Sequence, residues 1–498
     1  MTVGNTILGA ISAVPATVGT LGSVVLLSCG YILYNVYLHP LSSYPGPFWS
    51  AATHWPRVRA LLSGHLSYYV LELHEKYGDV VRIGPNELSY NNANAWKDIY
   101  GFKQGQSQLQ KDPDFYTAPP GGVHSIVTAD GAAHSRIRRL MAHAFSEKAL
   151  RLQEPLMKGY IDLLIKRLKE NCKNGKEPVD IVSWYNWTTF DLVGDLMFGE
   201  PFDCLEDLVY HPWVRIIFES VKAATIFSTA SLFPGAQTLI MALAPKKLLE
   251  TRDYHQGLTV KKVKTRLDRV TDRADFMTYI LRHNDERGMS VPEIEATANA
   301  IIIAGSETTG TLLAGVTYFI LKDAKMMKKL VDEIRGAFPT EEDITLMGVA
   351  KMKYMLAVLD EGMRMYPPVP IGLPRTIPAQ GTVINGQWVP PKTLVSVNQW
   401  AAYHTEKNFR EPNSFIPERW LSDPRFESDT KEVLQPFSLG PRNCIGKSLA
   451  YAEMRLILAR LLWNFDLKLV DDSKDWTRQE MYILWQKEPL YITLTPRK

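Results

Sequence analysis

The chain has 498 residues, 46% of them hydrophobic and 22% charged, and a formal net charge of +3. This composition excludes the disordered and fibrous classes, and with no basic run or aromatic-basic stripe it argues against nucleic acid as a partner. Cys29, Cys172, Cys204 and Cys444 lie far apart with no Cys-x-x-Cys pair, which argues against zinc and a disulfide framework and for a reducing compartment.

Met1 to Pro56 contains no Lys, Arg, Asp or Glu. Thr17 to Leu38 is almost wholly apolar, and as a helix it would cross a hydrocarbon core of about 30 Å. Tyr31, Tyr34 and Tyr37 suit the interfacial belt. A cleaved signal peptide is the alternative, but the stretch lacks a basic n-region and is long for an h-region, so an uncleaved single-pass anchor is expected. Arg57 and Arg59 follow the span, and the positive-inside rule then puts the C-terminal bulk in the cytoplasm. The expected organisation is a membrane anchor over residues 1–43, its helix at about 17–38, and one catalytic domain over residues 44–498. Between them, Tyr44-Pro45-Gly46-Pro47 forms a stiff bend that sets the angle of anchor to body.

The fold class expected beyond the bend is mainly α with a minor β-sheet region. Asp79 to Ile83, a Gly84-Pro85-Asn86 turn and Glu87 to Tyr90 read as a hairpin. Helical periodicity runs through Leu152–Asn171, Val291–Lys322, Met326–Phe338, Lys351–Tyr366 and Gly446–Trp463. Ser290-Val291-Pro292-Glu293 opens the second of these with a capping-box pattern. Thr382 to Val397, rich in Val, Ile and turn residues, suggests a second hairpin.

The chemistry concentrates in Phe437-Ser438-Leu439-Gly440-Pro441-Arg442-Asn443-Cys444-Ile445-Gly446. A lone intracellular cysteine is usually a buried small hydrophobe. Here it stands between two glycines, which let backbone approach a flat ligand. A helix follows, and its N-terminus favours an anion. Backbone N–H groups beside a thiolate spread its charge and tune a bound metal. Arg442 can pair with a ligand carboxylate.

This segment resembles the haem-ligand loop of the cytochrome P-450 family, Phe-x-x-Gly-x-Arg-x-Cys-x-Gly, at every specified position. The resemblance covers about residues 40–495 and implies the cytochrome P-450 fold, preceded here by an N-terminal transmembrane helix. It makes Cys444 the axial thiolate of haem b (iron protoporphyrin IX), where a thiolate favours O–O cleavage. It places Phe437 and Gly446 in the cofactor loop and Arg442 on a haem propionate.

Three further motifs agree. Glu361-Gly362-Met363-Arg364 matches the family's Glu-x-x-Arg, closed into a buried structural triad by Arg419 of Pro417-Glu418-Arg419-Trp420. Ala304-Gly305-Ser306-Glu307-Thr308-Thr309 interrupts an apolar helix; by resemblance Ala304 lies over the distal haem face, Thr308 steadies dioxygen there, and Glu307 relays protons. His134-Ser135-Arg136-Ile137-Arg138-Arg139 is similar to the family's Trp-x-x-x-Arg helix, with His134 in place of Trp, so His134 and Arg138 are expected at the propionates. Arg375, in Leu373-Pro374-Arg375, takes a similar place.

The resemblance also implies electrons from NADPH through a flavoprotein reductase, with Arg136, Arg139, Lys148, Arg151 and Lys447 as a basic docking face. It places the protein in the endoplasmic reticulum membrane with its catalytic domain in the cytoplasm. Candidate pocket segments at Pro119–Val127, Trp213–Phe233, Ala300–Thr308, Val369–Leu373 and Tyr482–Trp485 are mostly apolar, which suits a lipophilic substrate. The style of the sequence is similar to fungal tailoring monooxygenases acting on terpenoids and polyketides. A non-oxidative haem-thiolate isomerase or dehydratase, or an inert carrier, would need no O₂-activating relay; Glu307 and Thr308 argue against both.

Overall fold

The computed structural model describes residues 22–497 apart from 104, 106–107, 118–120, 234, 244–245, 270, 272, 285–287 and 472–474. Residues 17–21 of the expected anchor helix, and Pro119 and Pro120 of the first pocket segment with Ala118 before them, lie outside that set.

The anchor segment is helical over Gly22–Leu38. Its apolar side chains stand outward, with Leu26 75%, Leu27 72% and Leu38 74% exposed. The last turn is a π-helix, Tyr34–Leu38, and Asn35 within it is buried. Asn35 Nδ2 donates to Ala52 O at 3.2 Å. The guanidinium of Arg82, itself buried, donates to Asn35 O at 2.9 Å and to Pro85 O at 2.6 Å. Arg82 N donates to Pro45 O at 2.7 Å. The Tyr44–Pro47 bend is therefore stitched to the first strand. Arg57 is also drawn into the fold, pairing with Glu87 at 2.7 Å.

The first hairpin forms as expected, Val80–Gly84 against Glu87–Tyr90. It joins a five-stranded sheet, completed by Leu394–Val397, Arg375–Thr376 and Gln110–Lys111. The Thr382–Val397 segment divides between two sheets. Thr382–Ile384 and Gln387–Val389 form a two-stranded hairpin, turning through Asn385 and Gly386 at φ 52° and 76°, the conformation a two-residue hairpin loop favours. Leu394–Val397 instead pairs in parallel with Glu87–Tyr90. A third sheet pairs Val179–Asp180, Tyr491–Pro496 and Phe465–Leu469.

The rest is largely helix. Val291–Lys322 carries both halves of its capping box, Ser290 and Glu293. It is long and apolar enough to cross a membrane, but 72% of its most apolar window is buried. It is the core helix of the domain. Against it packs Ile181–Phe198, with Tyr185 Oη 2.8 Å from Thr317 Oγ1. At their contact a Cβ on Gly310 would stand 2.5 Å from Asn186 Oδ1, so only glycine allows that approach. Glu147–Asn171, Ala324–Ala337, Lys353–Met365 and Lys447–Asn464 match the other expected helices to within a few residues.

Candidate active site

The cysteine loop is held by backbone geometry. Gly440 has φ 76°, and a Cβ there would stand 2.1 Å from Tyr100 O; a larger residue cannot make this turn. Gly440–Arg442 forms one 3₁₀ turn. Cys444 N donates to Phe437 O at 2.8 Å, so the two ends of the motif are bonded. The helix Lys447–Asn464 then begins with Gly446 as its N-cap. Phe437 packs on Tyr451, ring centroids 5.4 Å apart.

Cys444 is a free thiol with accessible surface. Burial nevertheless pushes its pKa up, opposed by a hydrogen bond from Gly446 and the charges of Arg138 and Lys447. Ala304 is likewise exposed, although Ile301, Ile302, Ser306 and Glu307 beside it are buried. Thr308, one turn on, shares the Ala304 face and donates to Ala304 O at 2.7 Å.

The expected propionate ligands come together around one carboxylate. Arg442 pairs with Asp130 and donates to Leu109 O at 2.5 Å. Arg138 donates to both Asn443 O and Asn443 Oδ1 at 2.6 Å, fixing the residue before the cysteine. Arg375, buried, donates to Tyr116 Oη at 2.9 Å. Lys111 joins them, its ammonium held by Val127 O and Ala129 O, each at 2.7 Å. Burial, with Arg375 and Arg442 close by, pushes Lys111 down to about 7. Burial first, and then Lys111, Arg138 and Arg442, push His134 down to about 4. It is therefore neutral and can donate one ring N–H. Arg442, Arg138 and Arg375, buried or half-buried, together with Lys111 leave this recess with excess positive charge, which is costly unless an anion answers it. A ligand with two carboxylates and a metal for the thiol fits this donor set, as haem would.

The triad forms as expected. Glu361, Arg364 and Arg419 are all fully buried. Arg364 donates to Glu361 from Nε at 3.0 Å and from Nη2 at 2.7 Å, and Arg419 Nε donates at 3.0 Å. Trp420 Nε1 adds a bond at 2.9 Å. Arg419 also pairs with Asp429, which sequence reasoning missed.

Glu307 is buried among unexpected partners. Lys487 pairs with it and donates to Thr311 Oγ1 at 2.8 Å. Thr311 Oγ1 lies 3.4 Å from Glu307 Oε1. Lys487, Lys111, Tyr116 and Asp130 were all missed; of these only Asp130, an N-cap acid before Gly131, carries a local signal. Of the basic face, Arg139, Lys148, Arg151 and Lys447 are exposed. Arg136 is not free: it grips Glu293 of the core-helix cap at 2.5 and 3.1 Å.

A free thiol on a glycine-bent loop, a cationic recess and a mid-helix acid and alcohol in a mainly helical fold define a haem-thiolate protein. The family model for cytochrome P450 matches residues 44–494. The chain is 46% identical over 466 residues to the cytochrome P450 monooxygenase astA of Talaromyces wortmannii, covering 93% of this chain and 94% of that one. It is 46% identical to the monooxygenase atr2 of Stereocaulon alpinum, covering 93% and 92%. It is 44% identical to averantin hydroxylase of Dothistroma septosporum, covering 96% and 91%. The chain belongs to the cytochrome P450 family. It is an oxidoreductase of the monooxygenase class, and the family implies haem with thiolate-bound iron.

Proposed function

We propose that the chain is a membrane-anchored monooxygenase that uses O₂ to hydroxylate, epoxidise or desaturate a lipophilic small molecule, a terpenoid or polyketide of fungal secondary metabolism. The observation that carries this reading is the free, accessible thiol of Cys444 beside the charge of Arg138 and the cationic recess. Cys444 would hold the iron. Arg442, Arg138, Arg375 and His134 would hold the propionates, and Phe437, Gly446 and Ala304 would line the ring. When bound, haem supplies the activation of O₂ and the oxidising power. The chain's own part is to position and to move protons. Thr308 Oγ1 donates to Ala304 O, which leaves its lone pairs free to accept. Glu307 stands next to it as the proton source.

One cleft supports a lipophilic substrate: it is walled by Leu66, Val70, Ile83, Phe115, Leu232 and Ile371 among others. It joins the Trp213–Phe233, Val369–Leu373 and Tyr482–Trp485 segments. The relatives are fungal monooxygenases of secondary-metabolite clusters, and one is named for averantin. The exposed apolar helix Gly22–Leu38 supports a single-pass anchor over residues 1–43 in the endoplasmic reticulum membrane, with a cytoplasmic domain over residues 44–498. Arg139, Lys148, Arg151 and Lys447 would meet an NADPH-dependent flavoprotein reductase.

The test is the carbon monoxide difference spectrum of the reduced full-length protein. The long-wavelength band of thiolate ligation, lost in Cys444→Ala, is expected. A band of histidine ligation, or well-folded protein without haem, would overturn the reading.

A further inference from the structure

A second cleft is walled in part by the core helix, at Glu307. Asp180, Ser183, Asn186, Tyr210, Glu307 and Lys487 stand in its wall. Four of these polar groups are linked. Ser183 Oγ donates to Asp180 Oδ2 at 2.5 Å, Tyr210 Oη lies 3.4 Å from Ser183 Oγ, and Asn186 Nδ2 donates to Tyr210 Oη at 3.1 Å. Asp180, Ser183 and Tyr210 are half-buried, while Glu307 and Lys487 at the inner end are 2% and 4% exposed. Glu307 Oε1 takes Lys487 and Thr311, whereas Glu307 Oε2 has no hydrogen bond among the described residues. A buried carboxylate oxygen without a partner, in a cleft wall that also carries Asp180, Ser183 and Asn186, calls for water.

We propose that this cleft is the route by which protons reach Glu307 from solvent, and that Lys487 is the positioning residue that holds Glu307 ionised with its second oxygen toward the cleft. The inference rests on the reading of Glu307 as proton relay. A hydronium in the cleft gives its proton to the Glu307 carboxylate, leaving water and the carboxylic acid. Glu307 passes that proton on toward Thr308 and is a carboxylate again. Lys487 remains an ammonium throughout. One helical step of about 100° separates Glu307 from Thr308, so the acid, in the cleft wall, and the alcohol, on the Ala304 face, point in different directions. Burial raises the pKa of Glu307, and the Lys487 charge is the main opposing influence. Burial lowers that of Lys487, and Glu307 opposes it. The phenols of Tyr210 and Tyr366 also feel Glu307, and Asp180 bears on Lys487.

The route also passes the pocket. Tyr482, Leu484 and Trp485 share the cleft wall with Lys487, so the ammonium stands two residues beyond a segment expected to touch substrate. Thr311 on the core helix braces it from the other side.

The experiment compares wild type, Lys487→Met, Lys487→Arg and Glu307→Gln as full-length haem-loaded protein. The first readout is the infrared carbonyl stretch of a protonated carboxyl. Lys487→Met should gain such a band at neutral pH, and the Lys487→Met/Glu307→Gln double variant should lose it. The second is product formed per NADPH consumed, which should fall on the order of 100-fold in Lys487→Met, within the range a positioned proton donor contributes. Lys487→Arg should restore both. Lys487→Gln reports the same outcomes should the methionine variant fail to fold. Lys487→Met with no new band, or with the band and wild-type coupling, would overturn the proposal. Wild-type coupling in Glu307→Gln would overturn the relay reading itself, while the carboxyl band still decides whether Lys487 sets the charge of Glu307.

Discussion

Replacing Glu361 with alanine tests the buried triad most severely. Its carboxylate accepts five hydrogen bonds: three from Arg364 and Arg419, one from Trp420, and one from Ile416 N at 2.8 Å. Without it Arg419 keeps Asp429 as a counter-charge. Arg364 keeps only the carbonyls of Tyr403, Pro412 and Ser414, at 2.9, 2.6 and 2.9 Å. Breaking a buried pair on one side costs about 3–5 kcal/mol, a large part of a domain stability of about 5–15 kcal/mol. Glu361→Gln keeps the shape and some acceptors and should fall between. The assay is haem retained after graded heating, because a cofactor-binding protein of this size does not melt in two states. Glu361→Ala should accumulate little haem-loaded protein. Burial alone would raise the Glu361 pKa, but Arg364 and Arg419 hold it below the usual carboxylate range. Its contribution is therefore present above the ordinary carboxylate pKa and lost as pH falls through the depressed folded value. Wild-type heat resistance and haem content in Glu361→Ala would refute the argument.

Thr308→Ala should keep haem and consume NADPH while product per NADPH drops at least about 100-fold, the lower end of what a positioned proton-transfer group contributes; equal loss of consumption and product would place Thr308 in binding instead. Arg139→Glu with Lys148→Glu should slow reductase-driven turnover, more so at low salt, and spare peroxide-driven turnover. Arg136→Glu should instead destabilise, since it breaks the contact with Glu293, and a purely kinetic effect there would count against that pairing. Glu453, buried in the helix after the cysteine, is raised to about 8 from 4.5 by burial, with Thr309 its opposing hydrogen bond. The folded state then holds a proton the unfolded state has lost, so stability falls as pH rises through that window. Glu453→Gln should flatten this slope in thermal melts taken between about pH 5 and 8, and an unchanged slope would show that Glu453 does not titrate there.

What the sequence made legible was local. Phe437 to Gly446 folds through its own glycines and its own Cys444-to-Phe437 bond, and Glu361 and Arg364 meet because three residues in a helix share a face. The Ser290–Glu293 cap is likewise complete within four residues. What escaped was brought in from far along the chain. Lys487 meets Glu307 across 180 residues, and no periodicity marks a lysine between Gln486 and Glu488. Lys111 lies on a two-residue strand, too short for a pattern. Thr382 to Val397 had the composition of a hairpin, but which strand it would join was settled by Glu87–Tyr90. Arg136 looked like surface charge because its partner, Glu293, lies 157 residues away.

The stitch between Arg82, Asn35 and Pro45 bears on how the protein would search for partners. A catalytic body on a loose tether tumbles, and presents its basic face to the membrane as often as to the cytosol. Here the final turn of the helix and the first strand share a buried guanidinium, so turning one against the other breaks charge-assisted bonds of about 1.5–3 kcal/mol each. With the helix in a bilayer, as proposed, the body would be held in one posture. Encounter with a reductase in the same membrane then becomes a planar search between oriented surfaces, and the effective concentration follows from geometry as well as affinity.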